Sequence, residues 1–298
     1  MALTAAYAAI YLIWGSTFLA ISLAVRSIPP LLMMGIRCSA AGVLLLSWAI
    51  ARREPAAPRH WGHAAVSGTL MFAGAYGTLA WAEQQLASGT AALLSATTPF
   101  WLVAIEWSRG SKPSARTMVG LVIGLAGVAL LVDGASAHPL RIAPIIAVLA
   151  GTGAWAAGSL YARPPRVPCS LALSAGMSLL AGGAGLLVTS WATRELSGFD
   201  PRTVSLVSLL ALAYLVVFGS LVAFTAYSFL LRVAPPARVA TYAYVNPIVA
   251  VALGAGLAGE RLSAGMISAG MVIATGVAIT IAGRRFNGRE GQEGREGA

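Results

Sequence analysis

The sequence predicts an all-α membrane protein of ten transmembrane helices, arranged as two inverted five-helix repeats. Three observations carry this expectation. Of the 298 residues, 58% are hydrophobic and only 10% charged, and the mean hydropathy is +0.78, a balance that no soluble core of this size requires. The apolar residues fall into ten stretches of spanning length, since a hydrocarbon layer of about 30 Å takes about 20 residues of helix. The two halves also echo each other: LLSATTPFWLVA around Pro99 is matched 148 positions on by TYAYVNPIVAVA around Pro247.

The expected spans run 4–25, 31–51, 63–83, 88–107, 116–133, 140–161, 169–191, 204–230, 236–257 and 263–283, separated by short polar or Pro/Gly connections. The first ends before Arg26 and the second before Arg52 and Arg53. The third ends at Glu83, and the fourth carries Pro99 inside it. The fifth follows the polar start Ser114, and the tenth follows Ser263 in the same way, 149 positions on. The eighth is long enough to tilt or protrude. Every segment is too long and too continuously apolar for the strands of a membrane barrel. The repeats are expected over 1–135 and 136–284, followed by a disordered cytoplasmic tail over 285–298, rich in Gly and charge.

Orientation follows from Lys and Arg on alternate sides. The even connections and the C-terminus hold 14 of the 20 cations, the other side holds five, and Arg37 lies within a span. Both termini are therefore expected in the cytoplasm. Arg26, after a first span with no basic residue before it, argues the other way. That first segment lacks the basic start and the small-residue cleavage site of a secretory signal. Five spans per half turn the second half upside down relative to the first, which places a binding site near the midplane.

The net charge of +10 is spread through short connections rather than gathered on one face, so nucleic acid is not an expected partner. Cys38 and Cys169 lie in apolar surroundings and read as buried free thiols. His60, His63 and His138 have no ligand spacing, so neither a metal nor a cofactor is expected. Nucleotide-binding and nucleophile motifs are absent as well, which removes the usual signatures of an enzyme.

Candidate binding residues are polar or aromatic groups inside spans. Trp14, Trp101 and Trp155 lie deep, whereas Trp48, Trp61, Trp107 and Trp191 sit near ends, where aromatic belts belong. An indole N–H wants a partner, so a deep Trp either packs between helices or faces a polar cavity. Helical spacing puts Leu94, Thr97, Thr98 and Trp101 on one side of the fourth span, and Tyr242, Val245, Asn246 and Val249 on the matching side of the ninth. Asn246 either ties helices together or meets substrate. Tyr76, Ala80, Glu83 and Gln84 share a face of the third span. Glu83 could attract an ammonium or bind a coupling proton, or simply be solvated at the helix end. Arg37, costing about 3 kcal/mol if central, either snorkels, pairs structurally or recruits a carboxylate. Pro99 and Pro247 are the expected hinges. Gly120, Gly124 and Gly127, like Gly265, Ala269 and Gly276, permit close helix approach, serving packing within a chain or a homodimer.

These residues resemble the drug/metabolite transporter superfamily with two EamA domains. The likeness rests on YLIWGSTFLAIS in the first span, PPLLMMGIRCSAAGVLL with Arg37 in the second, LLSATTPFWLVAIEW in the fourth and GERLS before the tenth. It covers the whole chain. The resemblance implies a multi-pass protein of a bacterial-type inner membrane that exports small metabolites, often amino acids. It also implies a central cavity lined by helices 1, 3, 4, 6, 8 and 9, with helices 5 and 10 peripheral. Joined to the residue reading, it gives alternating access, with Trp14, Tyr76, Trp101, Trp155 and Tyr242 as an apolar wall and Thr98 and Asn246 as hydrogen-bonding groups. Proton coupling through Glu83 and facilitated diffusion are both compatible with this. A drug or nucleotide-sugar carrier of the same superfamily is the alternative, and a channel is disfavoured by the sparse embedded polarity.

Overall fold

A computed structural model of the chain describes residues 2–54, 58–133, 141–162, 170–234, 236–260 and 262–296. They form α1 (Ala2–Ala24), α2 (Pro30–Ala51), α3 (58–82), α4 (Ser88–Ser108), α5 (Ala115–Asp133), α6 (Ile142–Tyr161), α7 (Leu171–Ala192), α8 (Leu206–Val233), α9 (Tyr242–Leu257, preceded by the single turn Pro236–Val239) and α10 (Ala264–Glu296). No strand occurs among the described residues. Among the described residues, seven helices are long and apolar enough to cross a membrane: α1, α2, α4, α6, α7, α8 and the Ala264–Ala282 part of α10. Ala115–Leu131 of α5 and Tyr242–Leu257 are apolar but shorter. Helix α3 starts at 58, earlier than the expected 63, because Pro58 opens it with a pre-set φ and no lost donor. Of the expected tail 285–298, the helical backbone is described through Glu296. Cys38 is buried and free, while Cys169 and His138 lie outside the described residues.

Three helices loosen to π geometry in mid-course, at Ala9–Ile13 in α1, Thr69–Tyr76 in α3 and Leu215–Val222 in α8. The last two begin 146 positions apart, close to the offset of the two prolines. A π segment shifts the backbone bonding by one residue and leaves carbonyls open to side chains.

The prolines themselves behave differently. Helix α4 breaks at Ala96 and Thr97 and restarts with Pro99 in its first turn, where a missing N–H costs nothing. Helix α9 runs through Pro247 without interruption, its break falling earlier, at Ala240 and Thr241. At the α4 break the hydroxyls of Ser95, Thr97 and Thr98 donate to the carbonyls of Ala91, Leu94 and Ser95 at 2.7–2.8 Å. The polar run before Pro99 thereby satisfies the backbone that the break releases.

Helix α2 packs along α7 and α5 along α10, while α1 meets α8 and α9, and α3 and α4 meet α6. Glycine sets the closest approaches. A Cβ on Gly120 would stand 2.5 Å from the Thr280 backbone nitrogen, and one on Gly127 would stand 2.7 Å from that of Ile273. On the α10 side, Gly276 faces the Gly124 backbone directly. The small-residue spacing of α5 is therefore spent within the chain. Gly42 does the same for α2 against Leu180 of α7, at 2.7 Å.

Two connections share one construction. Ala51-Arg52-Arg53-Glu54 and Ala192-Thr193-Arg194-Glu195 end α2 and α7 with an arginine in the left-handed region, at φ 57° and 55°. In each, the glutamate N–H closes back on a carbonyl five residues earlier, Ala49 and Ser190. The glutamate side chains then cap the opposite helix. Glu195 accepts from the N–H groups of Leu31 and Leu32 at the start of α2, at 3.1 and 3.0 Å. Glu54 accepts from Ser170, the N-cap of α7. Glu260 caps α4, taking the Ser88 N–H and hydroxyl at 2.9 and 2.7 Å. Carboxylates at these N-termini meet unpaired amides and the positive end of each helix dipole.

Replacing Gly276 with Val should lower stability by about 1–3 kcal/mol, because the nearest atoms are backbone and cannot turn aside. Gly62→Ala, with nothing within 4 Å of its Cβ, should be neutral. Thermal unfolding in detergent distinguishes the two, and equal melting points would refute the backbone contact between α5 and α10.

Candidate functional site

The aromatic residues of both halves converge at the centre. Trp14 and Trp155, which are 141 positions apart, meet edge to face at 5.5 Å. Tyr242 stands against Trp14 at 5.5 Å, and Tyr76 stacks on Trp155 at 5.5 Å with ring planes only 8° apart. Tyr227 of α8 completes the cluster, at 4.9 Å from Trp14 and 5.9 Å from Tyr242. Such contacts add stability beyond area burial and hold the rings in fixed orientations.

Specific polar contacts seat these rings. The Trp14 indole N–H donates to the carbonyl of Gly219 at 3.1 Å, inside the π segment of α8. Gly15 beside it lets α1 touch α9, since a Cβ there would stand 2.6 Å from Val249 Cβ. This is the physical content of the Trp-Gly pair in the first span. In the amide orientation that satisfies both of its ends, Asn246 donates to the carbonyls of Ile10 and Tyr11 at 3.0 and 3.2 Å. It thus ties α9 to the π segment of α1, the first of its two expected roles. The Tyr11 hydroxyl is bonded to Thr241 at 2.5 Å and that of Tyr227 to Ser159 at 2.8 Å.

Beside this cluster lies a chamber of about 630 Å³, counted with its open mouth. Helix α1 contributes Trp14, Thr17, Phe18 and Ile21, α3 contributes Tyr76 and Leu79, and α4 contributes Ala92, Ser95, Ala96 and Thr98. Thr152 and Trp155 come from α6, and Tyr242, Ala243, Asn246 and Pro247 from α9. Arg37 of α2 also faces it, which the implied set of lining helices leaves out. Helix α8 gives no lining side chain here. Its Tyr227 lines a smaller cavity that continues past Tyr242 and Thr98 toward Leu231 and Val239. Its mostly apolar wall, with a few polar groups among aromatic rings, is that of a small-molecule site.

Six of the eight candidate binding residues line the chamber: Trp14, Tyr76, Thr98, Trp155, Tyr242 and Asn246. Trp101 does not. It is 39% exposed, with its ring over Gly153 of α6. The two-residue break before Pro99 resets the helix, so the face counted from Leu94 to Trp101 does not persist across it. The matching face of the unbroken α9 does persist.

Glu83 also stands apart, in a second cavity with Ser22, Arg26, Gln84, Ser88 and Glu260. It is 5% exposed, and beyond the neighbouring Ser22 backbone no donor is placed against its carboxylate oxygens. The two cavities adjoin where α1 passes from Ile21 to Ser22 and α3 from Leu79 to Glu83. Of the chamber residues that the candidate set omits, Thr17 and Ile21 follow from helical spacing three and seven residues after Trp14. Thr152 follows in the same way, three residues before Trp155, and its hydroxyl lies 3.3 Å from that of Thr97 at the α4 break.

Comparison with known proteins gives one answer. The EamA-like transporter family matches residues 2–133 and again 142–282. The uncharacterized inner membrane transporter YedA of Escherichia coli (strain K12) is 38% identical over 278 residues, 92% of this chain and 89% of that protein. An E. coli protein named "Probable amino-acid metabolite efflux pump" is 22% identical over 93% of this chain and 94% of its own. A protein of known crystal structure, 22% identical, shares the fold with a TM-score of 0.66 over 96% of this chain and 98% of its own. Family and relatives are transporters rather than enzymes, they imply a small-molecule substrate and embedding in a membrane, and the relatives include inner membrane proteins. With both halves matched separately, the chain belongs to the EamA-like transporter family.

Proposed function

We propose that this protein exports small metabolites, with amino acids as the substrate class, by alternating access through the central chamber. The observation that carries this reading is the chamber itself, walled by aromatic residues drawn from both halves of the chain. The amino-acid metabolite efflux pump among the relatives supports the substrate class. Aromatic and apolar side chains suit such a wall, while Ser95, Thr98 and Thr152 offer hydroxyls.

All ten helices cross the membrane in this reading, as two inverted repeats over 1–135 and 136–284. What supports the inversion is the symmetry of the contacts. Exchanging the halves carries the α1–α8 pair into α6–α3 and the α1–α9 pair into α6–α4, and α2–α7 and α5–α10 map onto themselves. The duplicated arginine turns at 53 and 194 and the matched π segments obey the same exchange. Both termini lie in the cytoplasm on the distribution of cations. The breaks before Pro99 and before Tyr242 are the hinges, being where backbone bonding is already interrupted. Glu83, in the cavity beyond Ile21 and Leu79, is proposed as a coupling-proton site rather than a substrate contact.

Uptake of labelled amino acids into proteoliposomes tests the function, and no transport above empty liposomes for any amino acid would refute the substrate class. Tyr76→Ala and Trp155→Ala should each reduce transport at least tenfold, whereas Trp101→Ala should reduce it less than twofold at equal folded yield. A larger loss in Trp101→Ala would return that residue to the site. An imposed proton gradient should accelerate wild-type transport, and Glu83→Gln should abolish the acceleration while leaving exchange between equal amino-acid pools. Identical rates with and without the gradient in wild type would make the protein a facilitator.

A further inference from the structure

Arg37 is set differently from the other cations of this fold. It lies about two turns into α2, is 1% exposed, and is the one charged residue among those lining the chamber. Its Nε donates to Ser220 Oγ at 2.9 Å, and its Nη1 reaches only the Met34 sulfur at 3.6 Å. Nη2 has no acceptor. The guanidinium carbon sits 4.5 Å from the centre of the Tyr76 ring, which stabilises a cation without neutralising it. Gly219 keeps the space clear, since a Cβ there would stand 2.7 Å from Nη2.

A second unfilled donor belongs to the same chamber. Trp14 and Trp155 occupy matching places in the two halves, yet only Trp14 finds an acceptor for its indole N–H. Trp155 Nε1 is buried beside the Tyr242 hydroxyl, with no acceptor at full hydrogen-bond geometry. No carboxylate lines the chamber. The wall therefore carries a positive charge, with two unfilled donors set just behind its surface. A guanidinium held in low dielectric with no carboxylate in contact is unfavourable until an anion arrives, and its planar fork fits a carboxylate, whose single charge it balances.

We infer that Arg37 anchors a carboxylate of the transported molecule, with the Trp155 indole N–H as an additional donor and the apolar remainder against Trp14 and Tyr242. This rests on reading the chamber as the substrate site, and it narrows the substrate class to apolar molecules with a free carboxylate. Cationic drugs and amines fall outside that class. Ser220 is a positioning residue for the guanidinium, while Tyr76 stacks beneath it.

Four probes on one skeleton test the inference: phenylalanine, its amide, phenylethylamine and phenylpropionate. Binding is read by thermal shift of the full-length protein in detergent, and transport by uptake into proteoliposomes. The two acids should bind at least about tenfold more tightly than the amide and the amine, equivalent to about 1.4 kcal/mol. In Arg37→Gln that preference should fall below about threefold, and Arg37→Lys should keep part of it. Equal binding of amide and acid by the wild type overturns the inference, as does a tenfold preference that survives in Arg37→Gln. Should Arg37→Gln fail to fold, the wild-type series and Arg37→Lys decide. If phenylpropionate binds in an Arg37-dependent way while no amino acid moves, the amino-acid reading fails and the carboxylate anchor stands. If no probe binds or moves, the anchor falls too.

Discussion

The structure depends on one constraint: within hydrocarbon every backbone N–H and C=O must find a partner inside the protein. Regular helices meet it trivially, and the chamber exists because several helices here are not regular. The π segments of α1, α3 and α8 and the break in α4 each release backbone groups at the centre of the fold. Side chains from neighbouring helices collect them: Trp14 bonds the Gly219 carbonyl, Asn246 those of Ile10 and Tyr11, and the hydroxyls before Pro99 their own freed turn. The groups that seal the irregular backbone are the groups that shape the cavity.

The rest of the fold frees the centre for this. Helices α2 with α7 and α5 with α10 close on one another through glycines at backbone-contact distances, making rigid pairs by dispersion and close approach. The ends are secured separately, by Glu54, Glu195 and Glu260 reaching across to cap helices far away in sequence. Stability is thus lodged in the outer pairs and in the caps. The inner helices carry the breaks, Glu83 and the unsatisfied Trp155 donor, and Arg37 reaches them from α2 of the outer pair.

Much of this was legible in the chain. Composition and segment length identified a helical membrane protein, and the Trp14–Trp155 offset marked two residues that meet at the centre. Six of eight candidate binding residues share one chamber. The two that do not fail for physical reasons. Trp101 was counted along a helix that breaks before it, and Glu83 lies one turn beyond Leu79, on the far side of the layer that separates two cavities. The second duplication, Arg53-Glu54 with Arg194-Glu195, sits in the connections, where two charged residues in a polar turn carry no weight until their φ angles and capping bonds are seen.

By itself the sequence determined the medium, the helical class and the family, because hydropathy, segment length and whole-chain similarity are properties of the string. Only the tertiary structure decided which of its few embedded polar residues are spent on the fold and which are left over. Asn246 and Trp14 are spent, since partners 205 or more positions away in sequence are brought within hydrogen-bond reach. Arg37, Trp155 and Glu83 are left with unfilled donors or acceptors, a condition set by what the neighbouring helices present and therefore invisible along the chain.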